Sequence, residues 1–298
     1  MDMMENKRED TKMTANIPEY VPDYADIWRR RMEEVFESDE KHGNRVKWDS
    51  VEHARSYWER TKKDRCRPLK QLETINLQKT ERFLDIGSGP GTLGIPAAKH
   101  AREVVCVEPS LGMCTIMNER IAEDNLSNVS VVRKKWEDVD LEKDLKIDES
   151  GLFDAVAASF SLSMADIREQ VRRMEKVCRG RIYLFWFAGE YIWENKEFGE
   201  FMRSIGAADF YPGPKADLLY GALAQMGIYP DLYTYSLSMP DEYPSADVAA
   251  EKIGQRHAVS DPESREKLRE WIRSHFDGKV TLHGISRRVC IHWDVKKD

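Results

Sequence analysis

The chain has no CxxC pair, no internal repeat and no run approaching eighteen apolar residues. Five unevenly spaced cysteines in 298 residues exclude a disulfide framework and the common zinc-ribbon spacings, so reduced thiols are expected. The missing apolar run excludes a transmembrane helix, and no membrane partner is expected. The leading MDMMENKREDTKMT is too acidic and polar for a secretory signal, which makes a cytoplasmic protein the expectation. An excess of positive charge is also lacking. Lys and Arg total 46 against 53 Asp and Glu, a formal net charge of −7, which argues against a broad electrostatic footprint for nucleic acid. No metal-ligand spacing unites His257, His275, His283 and His292, and no metal is expected. Cys66, flanked by basic residues in DRCRP, reads as an incidental thiol rather than a reactive one.

What is present is a full complement of core residues, 41% hydrophobic, enough for one large α/β domain with additions. Residues 1–16 read as a disordered tail and 17–79 as a helical extension or lid rich in Trp and Arg. From 80 to 189 short apolar runs alternate with segments of helical period, the mark of a parallel sheet covered by helices. The strand candidates are RFLDI (82–86), EVVCVE (103–108), VSVVRK (129–134), FDAVAAS (153–159) and RIYLFWFA (181–188). Met164, Ile167, Val171, Met174 and Cys178 step by three and four, the stripe of a buried helix. Residues 190–230 read as a helical annex. Residues 231–298 read as a return to the sheet, with strands in LYTYSLSM (232–239) and HGISRRVCIHWDV (283–295). The fold class is a doubly wound, mostly parallel α/β sheet.

The strongest local feature is FLDIGSGPGTLGIPAA (83–98). A strand leads into Asp85 and then into Gly87, Gly89 and Gly91, after which a helix begins. Glycines allow a sharp turn and let a ligand lie against backbone, and Glu108, ending the next strand, reaches the same crevice. A carboxylate there suits vicinal ribose hydroxyls. Gly89, Gly91 and Gly94 also satisfy a dinucleotide fingerprint, so a nicotinamide cofactor and an oxidoreductase form one alternative. Asp85 weighs against it, because a carboxylate at the loop mouth repels a pyrophosphate and attracts an ammonium or sulfonium. No GK[ST] supplies the lysine of a mononucleotide phosphate loop.

DIGSGPG followed by CVEPS resembles motifs I and II of the class I, Rossmann-like S-adenosylmethionine-dependent methyltransferases, and the likeness extends over about 80–188. The resemblance implies a seven-stranded sheet of order 3-2-1-4-5-7-6, with S-adenosylmethionine as cofactor and S-adenosylhomocysteine as product. It implies that Asp85 lies near the methionine amino group, with Gly87, Ser88, Gly89 and Gly91 lining its tail. Glu108 would hold the ribose, while Pro109, Ser110 and Met113 border ribose and adenine. The family often places an acid before a small residue in its third motif. Here Lys135 and Trp136 stand there, followed by Glu137, leaving the Trp136 amide and ring as the adenine contact. Ser159 and Phe160 match positions facing the methyl group, and Asp154 is expected to support the glycine loop.

Methyl transfer from a sulfonium is an in-line displacement whose leaving group needs no proton, so a catalytic base is optional. Glu190, inside the aromatic stretch FWFAGEYIW, and Tyr57, a potential aromatic lid, are the candidates for a catalytic role. Tyr211 and Tyr220 are weaker candidates for the acceptor side. The acceptor is expected to be a small molecule. A protein side chain or a tRNA remains the alternative, and the ASFS after the fourth strand lacks the NPPY-like pattern of amine methylation.

Overall fold

The computed structural model describes residues 21–41, 48–62, 66–147, 151–208 and 213–295. The tail expected over 1–16 lies outside them. Seven strands form one sheet: β1 (Arg82–Ile86), β2 (Glu103–Val107), β3 (Val129–Val132), β4 (Phe153–Ser159), β5 (Cys178–Trp193), β6 (Asp231–Tyr243) and β7 (Val280–Asp294). Their order is β3-β2-β1-β4-β5-β7-β6. The first five are mutually parallel, and β7 runs antiparallel to both β5 and β6. Every residue of β1 is buried, as a central strand covered on both faces requires.

Two apolar layers cover the sheet. On one face α1 (Tyr24–Lys41), α6 (Ile167–Val177) and α8 (Ala216–Gln225) pack on Leu84, Val105, Val156 and Ile182. On the other α3 (Cys66–Ile75), α4 (Gly94–Ala97) and α5 (Leu111–Glu123) pack on Phe83, Val104, Ala155 and Tyr183. Helix α6 starts at Asp166, whose carboxylate accepts the Glu169 amide at 3.0 Å. It buries Ile167, Val171, Met174 and Val177 on one side. Helix α2 (Val51–Thr61) lies on α5 through Ala54, Met113 and Ile116.

The N-terminal extension is not uniformly a lid. Trp28 of α1 is fully buried, donates its indole N–H to the Met164 carbonyl at 2.8 Å and meets the Trp186 ring at 5.8 Å. Helix α1 is thus part of the core, and α2 covers the α5 side. The helices expected as an annex over 190–230 also separate. Helix α8 packs with α1 and α6, whereas α7 (Lys196–Ser204) joins α9 (Ala246–Arg256) and α10 (Pro262–His275) in a second apolar cluster. That cluster includes Trp193, Tyr243, Val280 and Leu282, at the outer ends of β5, β6 and β7, which run well past the five-residue β1 and β2.

Asp154 supports a different place from the one expected. It sits at the amino end of β4, where its carboxylate accepts the Arg82 amide at 2.9 Å and the Arg179 Nε–H at 2.7 Å. These bonds tie β1, β4 and β5 at the edge opposite the glycine loop, because all three strands start there.

Candidate functional site

The loop after β1 turns back over β2: the Gly87 and Ser88 amides donate to the Val107 carbonyl at 2.8 and 3.1 Å. Gly87, Gly89 and Gly91 all adopt positive φ, at 69°, 54° and 76°, where a side chain is strained. Their surroundings differ. A Cβ on Gly87 would overlap the Ser161 side chain, whereas one on Gly89 would meet no protein atom within 4 Å. Ser161 donates its hydroxyl to the Ile86 carbonyl, so the chain leaving β4 closes directly against the chain leaving β1.

Two carboxyl groups flank this loop. Asp85 is buried, and neither side-chain oxygen has a hydrogen bond of ordinary geometry among the described residues. Burial pushes its carboxyl up to about 7, softened by the nearby Gly94 amide and Ser88 hydroxyl and reinforced by the Glu108 charge. Glu108 is also buried, and burial raises its pKa despite two backbone donors. The Gly89 amide donates to its Oε2 at 2.8 Å and the Ser110 amide to its Oε1 at 2.9 Å. Each oxygen keeps further acceptor capacity for an incoming hydroxyl. Burial disfavours the charged form of both carboxyls; a cationic ligand group beside them would lower these pKa values again, whereas a pyrophosphate would raise them further.

Ser110 caps α5, accepting the Met113 amide at 3.1 Å, and donates its hydroxyl to the Trp48 carbonyl. Asp49 accepts the Leu111 amide at 3.1 Å. Residues 48–50 therefore lie across the start of α5, beside Pro109, which is exposed, and Met113, which is buried. Tyr57 belongs to this side. Its ring packs with Ala54, Met113 and Ile116 and edge-on to Trp48 at 5.2 Å. Trp136 is buried, and its indole N–H points to the Gln170 carbonyl at 3.5 Å, with Arg173 over the ring at 5.4 Å. The ring faces α6, and the Trp136 carbonyl accepts from Arg173 at 3.1 Å. Glu137 is exposed.

At the end of β4, Ser159 accepts the Gln71 side-chain amide at 2.8 Å, which seats α3 over the strand. Phe160 takes a positive φ of 55°, uncommon for an aromatic residue, while its amide donates to the Phe185 carbonyl at 3.0 Å. Its ring meets Phe187 of β5 at 5.5 Å. The Arg288 guanidinium of β7 lies over both rings, at 4.7 Å from Phe160 and 4.1 Å from Phe187. Arg67 of α3 approaches Phe160 at 5.9 Å and Lys215 approaches Phe187 at 5.9 Å. Gln71 and Arg288 stand in no local motif, and ASFS and DRCRP contain Ser161 and Arg67 without marking them. They reach the site through strand pairing and helix packing across the chain. Glu190 falls in β5, but its side chain lies outside the described residues, as do Tyr211 and the side chain of Cys66. Tyr220 sits exposed on α8.

Residues 83–180 match the family model described as a methyltransferase domain. Residues 83–180 carry a methyltransferase domain. An uncharacterized protein of Haemophilus influenzae is 27% identical to the chain over 234 residues, 76% of this chain and 81% of its own length. A ribosomal RNA small subunit methyltransferase A of Desulforapulum autotrophicum is 40% identical over 52 residues, 17% of this chain and 18% of that protein. The YcgJ protein of Bacillus subtilis superposes with a TM-score of 0.46 at 16% identity, covering 75% of this chain and 97% of that one. Methyltransferase domains of this class use S-adenosylmethionine and release S-adenosylhomocysteine. The open side of Gly89 and the two-oxygen acceptor Glu108 fit that cofactor's amino-acid tail and ribose, while Asp85 is buried beneath the loop, beside Gly94. Among the described residues no helix is long and apolar enough to cross a membrane. Among them, too, no group of three or more His, Cys, Asp or Glu could hold a metal ion.

Proposed function

We propose that the protein methylates a small-molecule acceptor seated beyond Phe160, at the carboxyl ends of β4 and β5. The observation that supports this reading is the pair of aromatic rings at that place, at 5.5 Å from each other. Phe160 and Phe187 are both partly buried, and α3 is bonded down onto Ser159 through Gln71. A partly buried aromatic site suits a small acceptor better than a folded protein or an RNA.

In this reading Asp85 receives the ammonium of the cofactor, and Gly87, Ser88, Gly89 and Gly91 border its tail. Glu108 accepts the ribose hydroxyls, Pro109, Ser110 and Met113 border ribose and adenine, and the Trp136 amide with Glu137 lies at the adenine edge. When bound, the cofactor supplies an electrophilic methyl group that is transferred by in-line displacement. The protein's part is alignment and exclusion of water. Ser159 and Phe160 face the methyl side, the Phe160–Phe187 pair shields it, and the segment 48–50 with Tyr57 covers the opposite end. Such positioning accounts for much of the acceleration of a displacement that needs no leaving-group proton. Glu190 remains the candidate to accept a proton from a weak acceptor nucleophile.

The test is a calorimetric titration with S-adenosylhomocysteine, NAD and NADH, followed by incubation with methyl-labelled S-adenosylmethionine and separated cell fractions. Micromolar binding of S-adenosylhomocysteine alone, with label entering the low-molecular-weight fraction, is the expected outcome. Label entering only protein or tRNA would replace the small acceptor by a macromolecular one.

A further inference from the structure

Three cationic side chains from three separate parts of the chain converge on the two phenylalanine rings beyond β4. Arg288 comes from β7, Arg67 from α3 and Lys215 from the residue preceding α8. We propose that the acceptor carries an oxyanion group, held by Arg288, Arg67 and Lys215, with its carbon body lying against Phe160 and Phe187. The proposal rests on the small-acceptor reading above and narrows it to one charge class.

Position supports it first. The β-ladder sets Phe187 opposite Arg288 and Arg288 opposite Tyr235, so three neighbouring strands present an aromatic ring, a guanidinium and a phenol side by side. This row lies two residues past Phe185, whose carbonyl holds the Phe160 amide, and so adjoins the methyl-facing end of the site. Chemistry supports it second. A guanidinium seated over aromatic faces gains cation–π attraction, and its donors lie in one plane that matches the two oxygens of a carboxylate or phosphate. Arg288 is 6% exposed. Withdrawing a guanidinium so far from water is costly unless anions and dipoles surround it, and an oxyanion brought by the substrate adds to whatever surrounds it here. Third, the Tyr235 hydroxyl is buried without a hydrogen-bond partner among the described residues, so a donor stands beside Arg288 ready for an acceptor oxygen. The register sets Tyr235 directly across from Arg288, and both Arg288 and Arg67 lower the pKa of that hydroxyl electrostatically against the larger effect of burial. Lys215 adds a third positive charge near Phe187, at 5.9 Å from its ring.

Carboxylate and phosphate share this chemistry, and the experiment separates them. Benzoate, phenyl phosphate and the neutral benzamide are titrated into the full chain, with and without saturating S-adenosylhomocysteine, and the S-adenosylhomocysteine affinity is read on the same samples. At least one anion is expected to bind about tenfold or more tightly than benzamide, with affinity falling as salt rises. The anion preferred names the oxyanion. R288Q should weaken its binding by about tenfold to a hundredfold while leaving S-adenosylhomocysteine affinity within about twofold. R67Q, on a partly exposed helix position, gives the same reading should R288Q fail to fold. Benzamide binding as well as the anions, no anion binding at millimolar concentration, or anion affinity unmoved by either variant would each overturn the proposal. Loss of S-adenosylhomocysteine binding in the wild-type chain, with anion binding intact, would instead overturn the cofactor assignment alone.

Discussion

The Gly89 amide donates to the Glu108 carboxylate at 2.8 Å, so the acid ending the second strand holds the glycine loop of the first. The other oxygen of the same carboxylate takes the Ser110 amide at 2.9 Å. Glu108 therefore joins the loop to the cap of α5, and its oxygens keep further acceptor capacity between them.

From that bond follows a difference between two substitutions. Glu108→Ala removes the acceptor for both amides and is expected to weaken S-adenosylhomocysteine binding more than tenfold, about 1.4 kcal/mol or more. Glu108→Gln keeps one oxygen and adds a donor, so it should lose less. Calorimetry on both variants, with circular dichroism to verify folding, separates the effects. Equal affinity for wild type and Ala variant would remove Glu108 from the site.

The two glycines of the loop should fail in different ways. Gly87→Ala forces a methyl into Ser161 at a positive φ, so it should lower the melting temperature and ligand affinity together. Gly89→Ala meets no protein atom and bears only the local strain of its φ, about 1 kcal/mol. It should remain folded yet lose most affinity for S-adenosylhomocysteine, because its methyl enters the ligand's space. A melting curve and a titration for each variant decide the matter.

Asp85 makes stability depend on pH in an unusual direction. Burial raises its folded pKa to about 7, above the ordinary carboxylate value. Between the ordinary range and about 7 the folded protein holds a proton that the unfolded chain has released, so this group's contribution falls as pH rises across that window. Asp85→Asn should flatten that part of the urea-stability profile. A cationic ligand group favours the ionised carboxylate, so ligand binding should release a proton near pH 6 and little at about pH 8. Titrations in buffers of different ionisation enthalpy measure the release, and proton uptake on binding would contradict the role given to Asp85.

Trp28 should behave as a core residue. Trp28→Ala removes a fully buried side chain and is expected to cost about 3–5 kcal/mol. Trp28→Phe keeps most of the volume but leaves the Met164 carbonyl without its indole donor, for a smaller loss. Denaturant unfolding of both variants gives the figures, and a Trp28→Ala chain of unchanged stability would return α1 to the role of a detachable lid.

The first four strands and the glycine loop were legible because their chemistry is local. An apolar run of strand length followed by glycines at fixed spacing has few other uses, and Asp85 and Glu108 stand at the ends of such runs. Long-range packing hid the rest. DIWRRRMEEVF reads as an amphipathic surface helix, and only the meeting of Trp28 with Met164 and Trp186 makes it core. HGISRRVCIHWDV reads as a strand without showing which arginine is buried, and only the pairing of Phe187 with Arg288 sets that one inward. The outer ends of β5 and β6 were missed because Gly189, Pro240 and charged residues interrupt the apolar run. Pairing with β7 supplies the missing continuity.

The length of those strands has a mechanical consequence. The cluster of α7, α9 and α10 hangs from the same three strands that run through the core, with no linker of its own between them. Swinging it away as a unit would require unzipping ladder bonds, each worth about 1 kcal/mol net, along several residues at once. The outer lobe therefore acts as a cantilever bolted to the sheet. The other side is held differently: residues 48–62 meet α5 through side-chain packing, an ion pair and cap bonds, with no ladder bonds to unzip among the described residues.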